Sequence, residues 1–588
     1  MSKLSKYQLL FLRWRKRQQN NRMLPFLLSI ITGLVVGLSA ILIKTIISYI
    51  EIYAVYFAPK VLFFLFPLIG FLLVTFLNKT VFYKIAYFQG VRNAIEAIEQ
   101  KSSIINFRLI YSKFLTTGLT IGFGGSSGVE AAIITTGSAI GSNIGQFLGL
   151  GYRLRTLLIG CGIAAGISAV YNAPTGGFIF ALETVLPAFT PTLLIPLLIS
   201  AATGKILFEF IMGDHLRFEA QIAAFPYDQI PLLIILGVLA MLMGSYLAGT
   251  YRTCARYFTK IKNDYLRALV GGLALGSIIF LIPPMYGEGY ISINALLQTE
   301  EQSLFINSPF AAISHVIPFR IMFFMLLTFL KPISTGICVN SGGEGGYFAP
   351  SLITGGFLGY SFYKMVALLF PFVSLNPATY IFLGMAATFA CVMNAPVTAI
   401  FLIAEITQSY QLFVPLMLIC AVAYFLKYYK ETLLPKDVLI TDKQKSSRLD
   451  SIIINELNSE TLIEKDFISV NEHNSLRTIV EKFSNAQRNI LPVLDETGVL
   501  LGIITLNDIR KRLQDTTGYD KVLAKEVMQA PTAIVEANEL VATIMNKFEK
   551  SNLFYLPVVK KGQFKGFISK SRLLAQYRDE LMQNNRFF

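Results

Sequence analysis

The sequence predicts an all-α polytopic membrane domain made of duplicated, glycine-broken halves, with an α/β domain pair at its C-terminal end. Three observations carry that prediction. The first is a charge split: of 588 residues, 40 of the last 148 are charged, against 47 of the first 440. Soluble proteins are about 25% charged, so the tail fits that class and the front is far too apolar for it. The second observation is an internal repeat within the front. The third is a separate, shorter repeat within the tail.

The net charge is +15, yet the tail holds 21 basic and 19 acidic residues, so nearly all the excess lies in the apolar part. There it reads as membrane-flanking charge, which excludes a single soluble enzyme and a nucleic-acid partner. Residues 1–23 carry Lys3, Lys6, Arg13, Arg15, Lys16, Arg17 and Arg22 and no acid. The positive-inside rule keeps this arm cytoplasmic. The apolar stretch 24–50 behind it is too long for a signal peptide and reads as a retained helix. Further apolar runs cover 54–77, 230–250, 266–284, 319–330, 380–404 and 413–426. The membrane domain is placed at 24–440, with halves at about 24–205 and 230–430. The five cysteines and three histidines are dispersed, which offers neither a disulfide framework nor a clustered metal site. No metal and no required cofactor is expected.

Glycines interrupt the front at 122–128 and 336–346. Non-helical backbone at membrane depth persists only where it is buried or lines a wet cavity, and paired interruptions point to a transport site. The two regions align. At an offset of 218, Gly128, Ala131, Thr136, Gly137 and Gly141 meet identical residues. At an offset of 222, Gly162, Ala164, Ala165, Val170, Asn172, Ala173, Pro174 and Glu183 do so. Chance between Gly/Ala-rich helices does not readily produce two such blocks at nearly one offset, so the halves read as a duplication. In transporters of this plan the copies are usually inverted.

In the tail, residues 490–508 repeat at 555–572, each copy reading helix, strand, turn, strand, helix. The two copies are placed at 461–515 and 524–580, behind a polar linker at 441–460.

Certain residues carry chemistry. Glu130 lies inside a glycine-rich break, and a carboxylate at that depth is functional by default. No Lys or Arg occurs between Lys113 and Arg153 to pair with it. Gly345-Gly-Tyr-Phe-Ala-Pro350 opens a helix, whose first N–H groups are unfilled and carry partial positive charge. Such an end takes an anion without a buried cation, although the same residues also suit a plain tight turn. Asn172-Ala-Pro174 and Asn394-Ala-Pro396 read as structural helix N-caps. Glu183 reads either as a water-facing proton group or as a helix-interface acid. In the tail, Thr505 and Asp508 sit at a strand-to-helix junction. They suit either a nucleotide, with phosphate on Thr505 and ribose on Asp508, or an ordinary helix cap.

These motifs resemble those of the CLC family of chloride channels and chloride/proton exchangers, and the tail resembles a CBS domain pair. The resemblance implies a homodimer with one anion pathway per subunit, chloride or another monovalent anion and protons as the transported species, and a multi-pass location in the plasma or inner membrane. The N-terminus and the CBS tail would be cytoplasmic, with an adenine nucleotide as candidate effector. Glu130 falls on the family's gating glutamate. The amides of Tyr347 and Phe348 would hold a central anion, and those of Val129 and Ala131, around Glu130, an outer one. The family's first anion loop falls on 88–92, bringing Gln89 and Gly90 to the path. Glu183 and Thr184 fall on the internal proton route, with Thr184 where exchangers usually carry a second glutamate.

Departures from the family pattern leave the preferred anion and the transport mode open. The family's Gly-Arg-Glu-Gly-Pro is here Gly128-Val-Glu-Ala-Ala132, and Glu344 adds a charge to the second glycine loop. The late pore tyrosine has no evident match near 434–437. The leading expectation is an anion/proton exchanger gated by Glu130 and regulated by the CBS pair. Thr184 suggests the alternative of a passive channel. Two others are a CBS-regulated divalent-cation transporter, which would need clustered carboxylates, and a nucleotide sensor with a membrane anchor.

Overall fold

Two units follow one another along the chain, Met1–Leu439 and Ile440–Phe588. The computed structural model describes residues 23–57, 64–83, 90–186, 191–213, 225–433 except 307, and 459–585 except 487, 511, 515–518, 552 and 561, with isolated residues 218, 222 and 457.

The first unit is helical: α1 (Leu24–Phe57), α2 (Phe66–Thr80), α3 (Val91–Gln100), α4 (Arg108–Gly122), α5 (Glu130–Phe147), α6 (Tyr152–Tyr171), α7 (Pro174–Phe180), α8 (Pro191–Met212), α9 (Ile230–Phe258), α10 (Asp264–Leu281), α11 (Tyr290–Leu297), α12 (Ile317–Ser341), α13 (Phe348–Leu369), α14 (Pro377–Met393), α15 (Pro396–Ile406) and α16 (Phe413–Leu433). Among the described residues, eight helices are long and apolar enough to cross a membrane. At 1.5 Å per residue α1 is about 51 Å long, more than the roughly 30 Å of hydrocarbon it has to cross. By the same arithmetic α3, α7, α11 and α15 are only about 10–17 Å long. They are too short to span alone.

The repeat is visible in the packing. A side chain on Gly137 would collide with the carbonyl of Gly162, and one on Gly355 with the carbonyl of Gly384. Likewise Gly141 abuts the Leu158 carbonyl as Gly359 abuts that of Tyr380. The two aligned blocks of each half are thus one helix pair, α5 on α6 and α13 on α14, brought to backbone contact by small residues. Between the halves, Gly128 and Gly346 exchange two N–H···O bonds of 3.0 Å each. This pairs a residue with its own repeat equivalent.

The Asn-Ala-Pro elements need a correction. Asn172 and Asn394 are not N-caps. Each ends the preceding helix in the left-handed conformation, at φ 55° and 54°. Asn tolerates that region better than most residues, and the proline two positions on restarts the chain as α7 or α15. The apolar run 380–404 is therefore two helices.

The second unit contains two modules. One holds β1 (Val470–Asn471), α17 (Leu476–Asn485), β2 (Ile490–Leu494), β3 (Leu500–Thr505) and α18 (Leu506–Ile509). The other holds β4 (Val535–Glu536), α19 (Val541–Ser551), β5 (Tyr555–Lys560), β6 (Gln563–Ser569) and α20 (Lys570–Asn585). In each sheet the short first strand is parallel to the second and the third is antiparallel to it. The ladders slip at matching points, Val493/Leu494 and Val558/Val559. Leu476, Ile479, Leu491, Val493 and Ile504 fill one core. Val541, Ile544, Leu556, Val558 and Ile568 fill the other.

Candidate functional site

Three helix starts meet around Ala131. Gly90 caps α3 at φ 64°, a conformation that favours glycine. Its N–H donates to Thr135 Oγ1 at 2.7 Å. A Cβ on Gly90 would lie 3.5 Å from Ala131 Cα, and one on Gly346 only 2.8 Å from Ala131 Cβ. The starts of α3, α5 and α13 therefore converge on one small residue. Each helix N-terminus bears about half a positive charge, so their sum favours an anion without a formal cation. The N–H groups of Tyr347 and Phe348 meet no acceptor among the described residues.

Glu130 is the first residue of α5 and is fully buried. Its carboxylate is not bare. Tyr171 donates its hydroxyl to one oxygen, and the Ala349 N–H reaches the other at 3.3 Å. An acid from one half thus rests on the helix start of the other. Tyr171 is in turn 2.6 Å from the Tyr290 hydroxyl. Phe348 walls this site, with ring centroids 5.1 Å from Tyr171, 5.4 Å from Phe180 and 4.6 Å from Phe389.

The other residues singled out in the sequence have diverse positions. The Val129 N–H, a donor for the outer anion by resemblance, is already occupied: Glu288 Oε1 accepts it at 3.0 Å. Glu344 forms a buried ion pair with Lys113 at 2.8 Å and accepts from Asn78 at 2.9 Å and from Thr116. Its role is to fasten the glycine loop to α4. Glu183 lies in a π-helical turn, Ala181–Val185, and accepts the N–H groups of Val397 at 3.2 Å and Thr398 at 2.8 Å. Glu405 does the same for Thr175 at 3.0 Å and Gly176 at 2.8 Å. This reciprocal capping of α15 and α7 fits the helix-interface reading of Glu183. The Thr184 hydroxyl donates to the Phe180 carbonyl at 2.6 Å. Gln89 and the stretch 434–437 lie outside the described residues.

In the tail, Thr505 and Asp508 close a capping box at the start of α18. Asp508 Oδ2 accepts the Thr505 N–H at 2.7 Å, and its Oδ1 accepts Gln529 at 2.7 Å. That is the cap geometry. A cavity of about 220 Å³ is lined by Asp466, Phe467, Asn485, Arg488 and Ile490. Ile490 is the cross-strand partner of Thr505. The Arg488 guanidinium holds the Asp466 carboxyl below the usual carboxylate range.

Glu288 and Tyr171 were not legible as site residues. Glu288 lies 159 positions from Val129, and a single Glu between glycines carries no spacing signal. Tyr171 sits one residue before a recognised motif, which marks its location and says nothing of its partner.

Apolar spans, broken helices and converging helix starts define a polytopic membrane transport protein with a buried polar focus. The chain belongs to the voltage-gated chloride channel family: that family's model matches residues 70–428, and the CBS domain model matches 460–515 and 524–579. A putative chloride channel protein ClcB-like from Ralstonia nicotianae is 28% identical, over 57% of this chain and 76% of its own length. An H(+)/Cl(-) exchange transporter ClcA from Salmonella paratyphi B is 26% identical, over 71% and 90%. Among solved structures, a CLC-type fluoride/proton antiporter aligns with a TM-score of 0.57 at 25% identity, covering 69% of this chain and 96% of its own. A eukaryotic CLC transporter covers 96% of this chain and 98% of its own, with a TM-score of 0.58 at 17% identity. The latter likeness concerns the fold alone.

Proposed function

We propose that this protein exchanges protons for chloride or a similar monovalent anion, with Glu130 as the group that links the two. The carrying observation is the Glu130 carboxylate seated on the α13 start at Ala349. Helix starts attract anions, and here the acid itself supplies the anion. Ionised Glu130 and a transported anion then compete for one positive focus. Protonation removes the acid's claim and lets an anion take its place. When the anion leaves, the acid returns and gives up its proton. Mutual exclusion at one site is a coupling free energy and acts reciprocally on both ligands. Relatives named as H(+)/Cl(-) exchange transporters support the reading.

Proteoliposome flux tests it. Glu130→Gln, which cannot ionise, is expected to abolish proton transport against a gradient. A variant that still pumps like the wild type removes Glu130 from the mechanism, and a wild type that moves no monovalent anion removes the substrate class. A passive channel is the second reading, favoured by Thr184, whose hydroxyl is spent on the Phe180 carbonyl. A reversal potential indifferent to the proton gradient would select it.

The same proposal includes a homodimer in the plasma or inner membrane, with both termini cytoplasmic and the CBS pair as regulator. An adenine nucleotide reaching Asp508 has to displace Gln529 from Oδ1. Titration calorimetry of the full chain with ATP, ADP and AMP tests this effector, and no heat from any of the three excludes it.

A further inference from the structure

Glu288 stands in the loop that leads into α11, and its two oxygens have different partners. Oε1 accepts the Val129 N–H at 3.0 Å, and Oε2 pairs with Lys44 at 3.3 Å. The Glu288 side chain is only 10% exposed. Val129 caps α5, so its N–H is among the donors that a helix start leaves unfilled. A helix cap normally comes from the adjoining turn. This one comes from 159 residues away and brings a cation with it.

We propose that Glu288 is a second tethered gate, a carboxylate that occupies the outer anion position at Val129 and must release it before an anion enters. This rests on reading the helix starts as the anion path. Glu288 and Glu130 then hold neighbouring parts of one focus, Glu288 on the Val129 amide and Glu130 on the Ala349 amide. The paired hydroxyls of Tyr290 and Tyr171 run from the residue two places after Glu288 to Glu130 itself.

Several charged groups surround Glu288. Lys44 of α1 is its cation partner at 3.3 Å. Glu51, also on α1, approaches the same loop: its Oε1 lies 3.6 Å from where a Cβ on Gly287 would be. Glu51 and Glu130 thus bring two further carboxylates to the surroundings of this loop. Lys331 of α12 lies beneath the loop, donating to Ser126 Oγ at 2.8 Å and to the Gly287 carbonyl at 2.9 Å. Protonating Glu288 weakens its hold on the Val129 N–H and on the Lys44 ammonium, two groups that attract an anion. Acid therefore opens this gate and alkali closes it. Two proton-linked gates in series give a steeper rise of flux on acidification than one.

The test uses the full chain in proteoliposomes, with chloride flux followed against pH, and chloride calorimetry on the same preparations. Glu288→Gln cannot ionise and is expected to bind chloride about threefold tighter or better at neutral pH and to flatten the pH profile. Glu288→Asp keeps a pH-dependent profile. Lys44→Gln removes the cation partner of Glu288, so its chloride affinity and flux profile depart from the wild type's, and this variant serves if Glu288→Gln is not monodisperse. Wild-type chloride flux with unaltered profiles in Glu288→Gln and Lys44→Gln overturns the second gate alone. No chloride flux in the wild type overturns the exchanger reading, and this proposal with it.

Discussion

The starts of α5 and α13 are one structural element used twice, and they differ in what fills them. Gly128 and Gly346 pair with each other, so the two residues after each glycine are also equivalent: Val129 with Tyr347, and Glu130 with Phe348. On α5 the first helical residue is an acid, and Glu288 occupies the amide before it. On α13 the first helical residue is a phenyl group packed among Tyr171, Phe180 and Phe389. There the N–H groups of Tyr347 and Phe348 have no acceptor among the described residues. Duplication supplied two anion-attracting ends: Glu288 occupies the α5 end at Val129, while Glu130 reaches across to the Ala349 amide of the α13 end and leaves those of Tyr347 and Phe348 without an acceptor among the described residues. The lesson is that a symmetric backbone makes a directional site once its two copies carry different side chains.

Six substitutions would break or sharpen that contrast. Phe348→Glu puts a second acid at the α13 start, beside the amides of Tyr347 and Phe348, and is expected to cut anion flux by about tenfold or more, as a tethered competitor for the same focus. Flux equal to the wild type's would mean that this start is not on the path. Lys113→Met leaves Glu344 buried without its cation, a loss of about 3–5 kcal/mol that thermal unfolding in detergent reads as a lowered midpoint. An unmoved midpoint would show that the pair does not fasten the loop.

Smaller effects test the symmetry itself. Gly137→Ala and Gly355→Ala each force a Cβ onto a facing carbonyl, at a cost of about 1–3 kcal/mol from overpacking. Stability loss in one variant alone would show that the copies have diverged in packing as well as in side chains. Glu183→Gln and Glu405→Gln weaken the reciprocal caps by about 1 kcal/mol each. A variant of Glu183 that instead loses proton transport while keeping its stability would return that residue to the proton route.

The duplication was readable because small residues and prolines have few substitutes where helices touch or restart. Gly137, Gly162, Gly355 and Gly384 meet backbone to backbone, so each is held in place by what it touches. Glu130 was readable because a lone acid in an apolar break is costly. Its partners were not, since a hydroxyl 41 residues away and an amide 219 away leave no local pattern. The Asn-Ala-Pro motifs showed that a break exists but not which helix the Asn serves, because the same residue favours both N-caps and left-handed C-caps.

Sequence alone determined the division into an apolar duplicated front and a charged repeated tail and the membrane location of the front, and it singled out Glu130 as an acid within an apolar break. Those follow from composition and periodicity, which are local properties of the chain. Only the tertiary structure decided who meets whom: Glu130 on Ala349, Glu288 on Val129, Lys113 on Glu344. Each of these joins a charge to a partner distant in sequence. At membrane depth such a charge has to find a partner, but the chain order does not say which one.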